Sequence, residues 1–331
     1  MSRAALAAAL LLLLTACAIR PALRTELDAG RPARVELAAT PFFPQQAFHC
    51  GPAALATVLV ASGVPVTPDA LAPQVYLPAR RGSLQAELLA AARRHGRLAY
   101  EFDATPANLL AELGAGHPVL VLQNLGTRRW PRWHYAVLVG YDAGADRAIL
   151  RSGRRERLAP RWSRFVATLD RADRWGLVTL EPGRLPAAGE ARRYVAAAAG
   201  LEQAGSPGLA LRAYAAGLAR WPDEALLWLG HGNAAHAAGD VAAALDSYRR
   251  AAALAPGNAA ARHNHAAALL ESGCAAAARA ELDEARTRLA EGPLSAALAA
   301  LAERAEGAVA TEDPPHCARG PAAPDPGIIP R

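Results

Sequence analysis

The sequence contains no lysine, so all 36 of its basic residues are arginine, against 30 acidic residues. The arginines are scattered rather than arranged in a stripe, and aromatic residues make up only 5% of the chain. Surfaces that bind single-stranded nucleic acid combine a basic groove with aromatic side chains on which bases stack. We therefore interpret the net charge of +6 as compositional bias and expect no nucleic-acid partner.

Cysteine is also scarce, and the sequence contains neither a CxxC pair nor a zinc-ligand spacing. The four cysteines are Cys17, Cys50, Cys274 and Cys317. The histidines of the C-terminal half also lack ligand spacing with an acidic third member; they are His231, His236, His263 and His265. The sequence thus predicts no metal site and no cofactor. A disulfide between Cys274 and Cys317 would need an oxidising compartment, and the sequence leaves that pairing open.

The apolar run near the N terminus, from Ala4 to Leu14, is too short to span a bilayer. Arg3 precedes this run and Leu14-Thr15-Ala16-Cys17 closes it, as in a secretory signal. The tetrapeptide resembles the bacterial lipobox, which implies cleavage before Cys17, lipidation of its thiol and a membrane anchor. We predict a signal peptide over 1–16, a tether over 17–39 and a periplasm-facing lipoprotein. Ala18, where an Asp would favour the inner membrane, indicates the outer membrane.

Cys50 stands where an irregular segment meets an apolar helix, in Phe48-His49-Cys50-Gly51-Pro52-Ala53-Ala54-Leu55. The apolar positions from Ala54 to Leu59 have the spacing of a buried helix. Free N–H groups and the positive end of the helix dipole would stabilise a thiolate at this point, and the thiolate is the nucleophilic form. Gln45 could supply an amide donor for an oxyanion. The alternative for Cys50 is a small buried core residue.

From Cys50 to Gly116 the pattern is helical, with Thr67-Pro68 and Thr105-Pro106 as helix starts and Ser83 as the cap of a helix from Leu84 to His95. The pattern then changes to strands. We predict strands at 119–122, 134–141, 147–151 and 175–180, with a hairpin turn between the second and third. Cys50 therefore lies in a helical half, and His134 opens a strand of a β half.

From about 41 to 182 the chain resembles papain-like cysteine peptidases of the bacteriocin-processing, double-glycine type. The resemblance is carried by Gln45, by the Cys50-Gly51-Pro52-Ala53 run and by the strand from His134 to Asp142. It implies a helical lobe and an antiparallel β lobe, with Cys50 as nucleophile, His134 as general base and acid, and Gln45 in the oxyanion hole. The predicted peptidase domain spans 40–183.

The sequence departs from this family at the residue that orients the histidine. In the family an Asp ends the strand after the histidine strand, whereas Leu150-Arg151-Ser152-Gly153 stands here. Ser152 could accept a hydrogen bond from the imidazole, but it supplies no negative charge. Asp142 is the alternative orienting residue. A Cys–His pair tolerates a weak third member better than a serine nucleophile would, so activity is still expected.

A 34-residue period runs through the C-terminal half, from Gly205 to Gly239 to Gly273, and it is repeated by alanine, tyrosine and proline positions. The period and its small residues resemble tetratricopeptide repeats, which implies an all-α solenoid of about three helix pairs over 190–292. The concave face of such an array would recruit a peptide or protein partner; the alternative is a rigid spacer. We predict a terminal helix and a disordered Pro-rich tail over 293–331.

Together these patterns predict an α+β papain-like peptidase domain followed by a tetratricopeptide-repeat solenoid, anchored to a membrane. The first functional hypothesis is a cysteine peptidase that hydrolyses peptide substrates. The second is a catalytically silent, peptide-binding scaffold lipoprotein. The third is a Cys-dependent acyltransferase in which an amine replaces water.

Overall fold

The computed structural model describes residues 22–27, 30–45, 49–288, 294–308 and 317. The predicted signal peptide, Cys17 and Ala18 lie outside these residues, as does most of the Pro-rich tail. The chain divides into two compact units, the first formed by 1–180 and 186–189 and the second by 181–185 and 190–331. Among the helices of the described ranges, none is both long and apolar enough to cross a bilayer.

The first unit is built on one antiparallel sheet of seven strands. Its strands are β1 (Arg34–Glu36), β2 (Leu98–Asp103), β3 (Val119–Asn124), β4 (Trp133–Asp142), β5 (Arg147–Ser152), β6 (Arg155–Leu158) and β7 (Trp175–Leu180). The order is β2-β7-β3-β4-β5-β6, and β1 pairs with the part of β4 that β3 leaves uncovered. The strands predicted from 119 to 180 are thus confirmed, whereas β1, β2 and β6 were not predicted.

The helices of this unit are α1 (Ala22–Glu26), α2 (Cys50–Ala61), α3 (Pro68–Val75), α4 (Gln85–Arg94), α5 (Pro106–Gly114) and α6 (Trp162–Asp170). The core joins α2, α3 and α4 to one sheet face, where Tyr135, Val137 and Val139 alternate with side chains directed to the other face. Helix α2 is buried from Gly51 to Leu59 on all its sides, as expected of a helix without a polar stripe. A buried helix whose first residue is Cys50 therefore points its N-terminus at one end of the sheet.

Two local expectations for α3 to α5 are confirmed and one is wrong. The hydroxyls of Thr67 and Thr105 accept hydrogen bonds from Ala70 N and Asn108 N, as N-caps do. Ser83 does not cap α4, because that helix begins one residue later and Leu84 occupies the cap position without a side-chain bond.

The tether predicted over 17–39 is wrong for its described part. Leu23 is fully buried, and its N–H donates to Asp146 Oδ1 at 3.2 Å. Strand β1 pairs with β4, and Gly140 of β4 allows the approach, since a Cβ there would lie 2.2 Å from Val35 O. The sequence of this segment is polar and aperiodic because a three-residue strand at a sheet edge needs no apolar pattern of its own. The first unit thus begins before residue 40.

The second unit is all helical, which confirms the predicted fold class. Its helices are α7 (Ala191–Gln203), α8 (Pro207–Arg220), α9 (Ala225–Ala237), α10 (Val241–Leu254), α11 (Ala259–Glu271), α12 (Ala275–Arg288) and α13 (Ser295–Gly307). The recurring glycines end α7, α9 and α11 with φ between 76° and 83°, a conformation that favours glycine. The recurring Ala210, Ala244 and Ala278 are fully buried, which lets neighbouring helices approach closely.

Cys274 and Cys317 form a disulfide, which answers the pairing that the sequence left open. Cys274 is fully buried beside Leu269 and Ala278. The bond therefore attaches part of the predicted tail to the helical unit. Of that tail, residues 309–316 and 318–331 lie outside the described part of the chain.

Candidate active site

Cys50 lies at the first residue of α2, against the edge of β4 where β5 has ended. The register pairs Val137 with Arg151, so β5 leaves the backbone of Tyr135 uncovered. The backbone N–H of Tyr135 contacts the Cys50 sulfur, together with the N–H groups of Gly51 and Cys50 itself. The thiol is thereby held beside the residue that directly follows His134.

Burial raises the pKa of the Cys50 thiol above its ordinary value, and the three N–H contacts only partly offset this effect. The low-dielectric environment disfavours the thiolate more than these N–H donors favour it. Cys50 is half-buried rather than sealed, and it is the free cysteine among the described residues. The resting form at neutral pH is therefore the neutral thiol.

His134 has its Nε2 within 2.8 Å of Ser152 Oγ. When Nε2 carries the proton and donates it to that hydroxyl, Nδ1 is left as the basic nitrogen. Burial lowers the pKa of His134 and is the only cause acting on it among the described residues, so no carboxylate supports the charged ring. The imidazole thus rests neutral, with a polar but uncharged partner.

Asp142, the alternative partner, stands eight residues further along β4, about 27 Å at the usual rise of a strand. Its Oδ1 accepts from Ala145 N in the β4–β5 turn. Asp142 is therefore wrong as the orienting residue, because one extended strand separates it from the ring of His134.

Gln45 reaches the same strand edge. Its backbone N–H donates to Gly153 O at 3.0 Å, and its side-chain Nε2 lies 3.5 Å from Tyr135 O. The amide is held by a long contact only, so it could turn towards an oxygen atom developing near Cys50. The structure thus brings Gln45, Cys50, His134 and Ser152 to one end of the sheet.

A cavity of about 660 Å³ opens beside the sulfur. Leu122, Trp133, Tyr135 and Ala172 give it apolar surface, and Arg80, Arg81 and Asp173 bring charge. Residues 80–85 form one side of this cavity, although no role in the site was predicted for them. No local pattern could have indicated this, since their place depends on the packing of α4 against α2.

Ser83 and Gly51 fit together under the cavity. A Cβ on Gly51 would lie 2.2 Å from Ser83 Oγ, so the hydroxyl occupies the space that the glycine leaves. The Oγ is buried and has no hydrogen-bond partner among the described residues, while the Ser83 carbonyl accepts from Tyr135 OH at 3.3 Å. Residue 51 must therefore be small for the loop to pack against the start of α2.

His49 precedes the nucleophile and caps α2 without a side-chain bond. Its ring meets that of Tyr76 edge-to-face, with centroids 4.9 Å apart. Because this contact accounts for the position of the His49 side chain, it favours a place at the rim of the site over a role in tuning the thiol pKa.

Residues 37–152 match the family model described as the Peptidase_C39 like family. No curated protein sequence matches the chain.

Solved structures resemble parts of it. A Bacillus anthracis protein described as a C39-like peptidase is 17% identical, with a TM-score of 0.36, and the match covers 44% of this chain and 97% of that one. The TPR2B domain of yeast Sti1 in a complex with pHsp70 is 20% identical over 35% of this chain and 96% of that one, with a TM-score of 0.34.

The type III secretion chaperone SycD of Yersinia enterocolitica, in complex with a peptide of the translocator YopD, is 23% identical over 35% of this chain and 91% of that one, with a TM-score of 0.33. Structural similarities with TM-scores this low do not support an inference about function. The family match covers about a third of the chain, yet it contains Gln45, Cys50, His134 and Ser152. The segment that builds the candidate active site is thus similar in sequence to the Peptidase_C39 like family.

Proposed function

We propose that the first unit is a cysteine peptidase that hydrolyses peptide bonds through Cys50 and His134. The observation that carries the proposal is the convergence at one sheet end. The Cys50 sulfur contacts the amide next to His134, Ser152 Oγ holds the imidazole at 2.8 Å, and a cavity opens on the sulfur.

The reaction begins with a neutral thiol and a neutral imidazole. As the sulfur attacks the peptide carbonyl, Nδ1 of His134 takes the thiol proton, so thiolate character develops only during attack. The N–H groups at the start of α2 and the Gln45 amide stabilise the oxyanion. The imidazolium then gives its proton to the leaving amine, and water hydrolyses the thioester with His134 again acting as base.

Ser152 orients the ring in this scheme without supplying charge. The imidazolium formed in the transition state therefore lacks the stabilisation that a carboxylate would give. This predicts a slow enzyme, and it is also the observation that favours the second candidate, a silent peptidase-like scaffold.

The second unit is proposed to recruit a partner polypeptide. Asn233 on α9 and Asn264 on α11 are joined by a 2.9 Å hydrogen bond, and Tyr248 OH donates to the same Asn233 Oδ1 at 3.1 Å. These side chains line a cavity of about 270 Å³. Amides presented on the first helices of successive helix pairs can bind the backbone of an extended peptide as well as each other.

The whole chain is proposed to be a lipoprotein anchored through Cys17, facing the periplasm at the outer membrane. The disulfide between Cys274 and Cys317 supports a place outside the cytosol, since disulfides persist in oxidising compartments.

The peptidase proposal is tested by digesting a proteome-derived peptide library with the full chain. Peptide cleavage and alkylation of Cys50 by iodoacetamide are compared in the wild type, Cys50→Ala and His134→Ala. Cleavage should fall at least about 100-fold in both variants, the usual scale of general-base loss. His49→Ala is the matched control and should keep activity, because its ring packs on Tyr76. Absent cleavage together with alkylation that ignores His134 would establish the scaffold instead.

A further inference from the structure

The loop between β3 and β4 exposes two indoles beside the cavity. We define the Trp–Arg hairpin as residues 125–133. In it Leu125, Trp130 and Trp133 are 46%, 69% and 56% exposed, whereas Trp162 and Trp175 are buried. Tryptophan is costly to leave in water, so two neighbouring exposed indoles indicate a surface that contacts something else.

A buried asparagine holds the backbone of the hairpin through several hydrogen bonds. Asn124, itself 1% exposed, accepts hydrogen bonds on Oδ1 from Gly126 N at 2.9 Å and Arg132 N at 3.0 Å. Its Nδ2 donates to Thr127 O at 3.1 Å, and Thr127 Oγ1 accepts from Trp130 N. The backbone that carries Trp130 is thus held in place before a ligand arrives, so docking costs little backbone ordering entropy.

The hairpin also carries an unbalanced positive charge. Arg128, Arg129 and Arg132 are exposed and make no ion pair among the described residues, and Arg129 lies 5.0 Å over the ring of Trp130. The sequence has no acidic residue between Glu112 and Asp142. Guanidinium groups over exposed indoles suit a partner that offers both carboxylates and an apolar side chain.

The hairpin is continuous with the active site. Trp133 lines the same cavity as Cys50, and Arg80 and Arg81 also line it; Asp173 is the single acidic residue among its lining side chains. A ligand lying over Trp133 therefore reaches the cavity that opens on the Cys50 sulfur. A bilayer seated on the same indoles would cover the mouth of the cavity, so continuity favours a polypeptide over a lipid surface.

We propose that the Trp–Arg hairpin is the docking surface for one flank of the substrate, and that this flank is an acidic peptide with a large apolar side chain. The inference rests on the proposed peptidase function. The hairpin sets which substrate reaches Cys50, while Gln45, Cys50 and His134 carry out the chemistry.

The test uses binding, so that it does not depend on turnover. The full-length Cys50→Ala chain is applied to an array of 15-residue peptides containing Trp or Leu, each made with Asp and Glu or with Asn and Gln. The acidic version should bind about tenfold more tightly, with an advantage that shrinks as salt rises. Arg128→Gln with Arg129→Gln should remove the advantage, and separately Trp130→Ala should weaken the binding of both peptide versions, in each case without changing the thermal midpoint.

The matched control is Arg161→Gln with Arg164→Gln, two exposed arginines at the other end of the sheet, which should leave binding unchanged. Equal binding of the acidic and amide peptides overturns the proposal. So does Trp130-dependent binding to phosphatidylglycerol vesicles without peptide binding, which would make the hairpin a membrane contact. Peptide cleavage without acidic preference would reject the docking surface alone, and acidic binding without cleavage would reject the peptidase alone.

Discussion

At the scale of single residues, the pairing of His134 with Ser152 controls how reactive Cys50 can be. Burial pushes the two pKa values apart in the wrong directions for an ion pair, raising that of the thiol and lowering that of the imidazole. A thiolate–imidazolium pair needs the reverse order. A hydroxyl at 2.8 Å fixes the ring but does not change this order.

Ser152→Asp should therefore activate the enzyme. A carboxylate at this position raises the pKa of His134 and stabilises the imidazolium, and each unit of pKa is worth a factor of about ten. We expect cleavage at neutral pH to rise at least about tenfold, measured as kcat/KM on any peptide that the wild type cuts. Ser152→Asn is the control of equal size without charge; equal rates for the two variants would show that charge is irrelevant here.

The same Ser152→Asp substitution should change the pH profile of Cys50 alkylation. In the wild type the rate should keep rising beyond the ordinary thiol pKa of about 8.5, because the thiol titrates late. In the Ser152→Asp variant the introduced carboxylate supports the imidazolium, which in turn stabilises the thiolate. The rise in alkylation rate should therefore move to lower pH, and an unchanged profile would contradict this coupling.

At the scale of elements, the start of α2 depends on a glycine and a serine from different parts of the chain. Gly51→Ala would place a methyl group 2.2 Å from Ser83 Oγ and 2.6 Å from Ser83 Cβ. We expect about 1–3 kcal/mol of destabilisation by urea unfolding, the usual cost of overpacking. Adding Ser83→Gly should restore most of it, because the Ser83 hydroxyl has no hydrogen-bond partner among the described residues to lose.

Gly114→Ala is the matched control, since a Cβ at the end of α5 would meet nothing within 4 Å. A Gly51→Ala chain as stable as the wild type, or one that Ser83→Gly fails to rescue, would contradict this account of the contact.

Helix starts and strands that are determined by residues close together in the sequence could be predicted from it. The caps at Thr67 and Thr105 and the strand from Trp175 to Leu180 follow from residues that are neighbours in the chain. Strand β2 was missed because it reads as a gap between helices and is defined by pairing with β7, more than 70 positions away. The family resemblance identified Cys50 and His134, but the Ser83–Gly51 contact and the exposure of Trp133 exist only after packing.

At the scale of the whole molecule, the four cysteines fall into three chemical roles. Cys274 and Cys317 are bonded in the helical unit, Cys50 is free in the first unit, and Cys17 is the proposed lipid attachment. The disulfide requires an oxidising compartment, and the proposed nucleophile requires that Cys50 remain unpaired there.

Cys17→Ser should release the protein from the membrane fraction of a Gram-negative host, because the proposed acyl chains need that thiol. Cys50→Ser is the control and should stay with the membrane, measured by fractionation and immunoblotting. Membrane association that survives the loss of Cys17 would refute the anchor.

The docking of Leu23 against Asp146 has a consequence for orientation at a bilayer. Cys17 is five residues from Ala22, a reach of at most about 18 Å, and the β4–β5 turn that receives Leu23 is separated from Trp133 by the length of β4, about 30 Å. A chain acylated at Cys17 would be attached to the membrane near the end of the sheet that is remote from Cys50. The cavity beside Cys50 would then open to the aqueous periplasm, and polypeptides dissolved there would reach it without first entering the lipid.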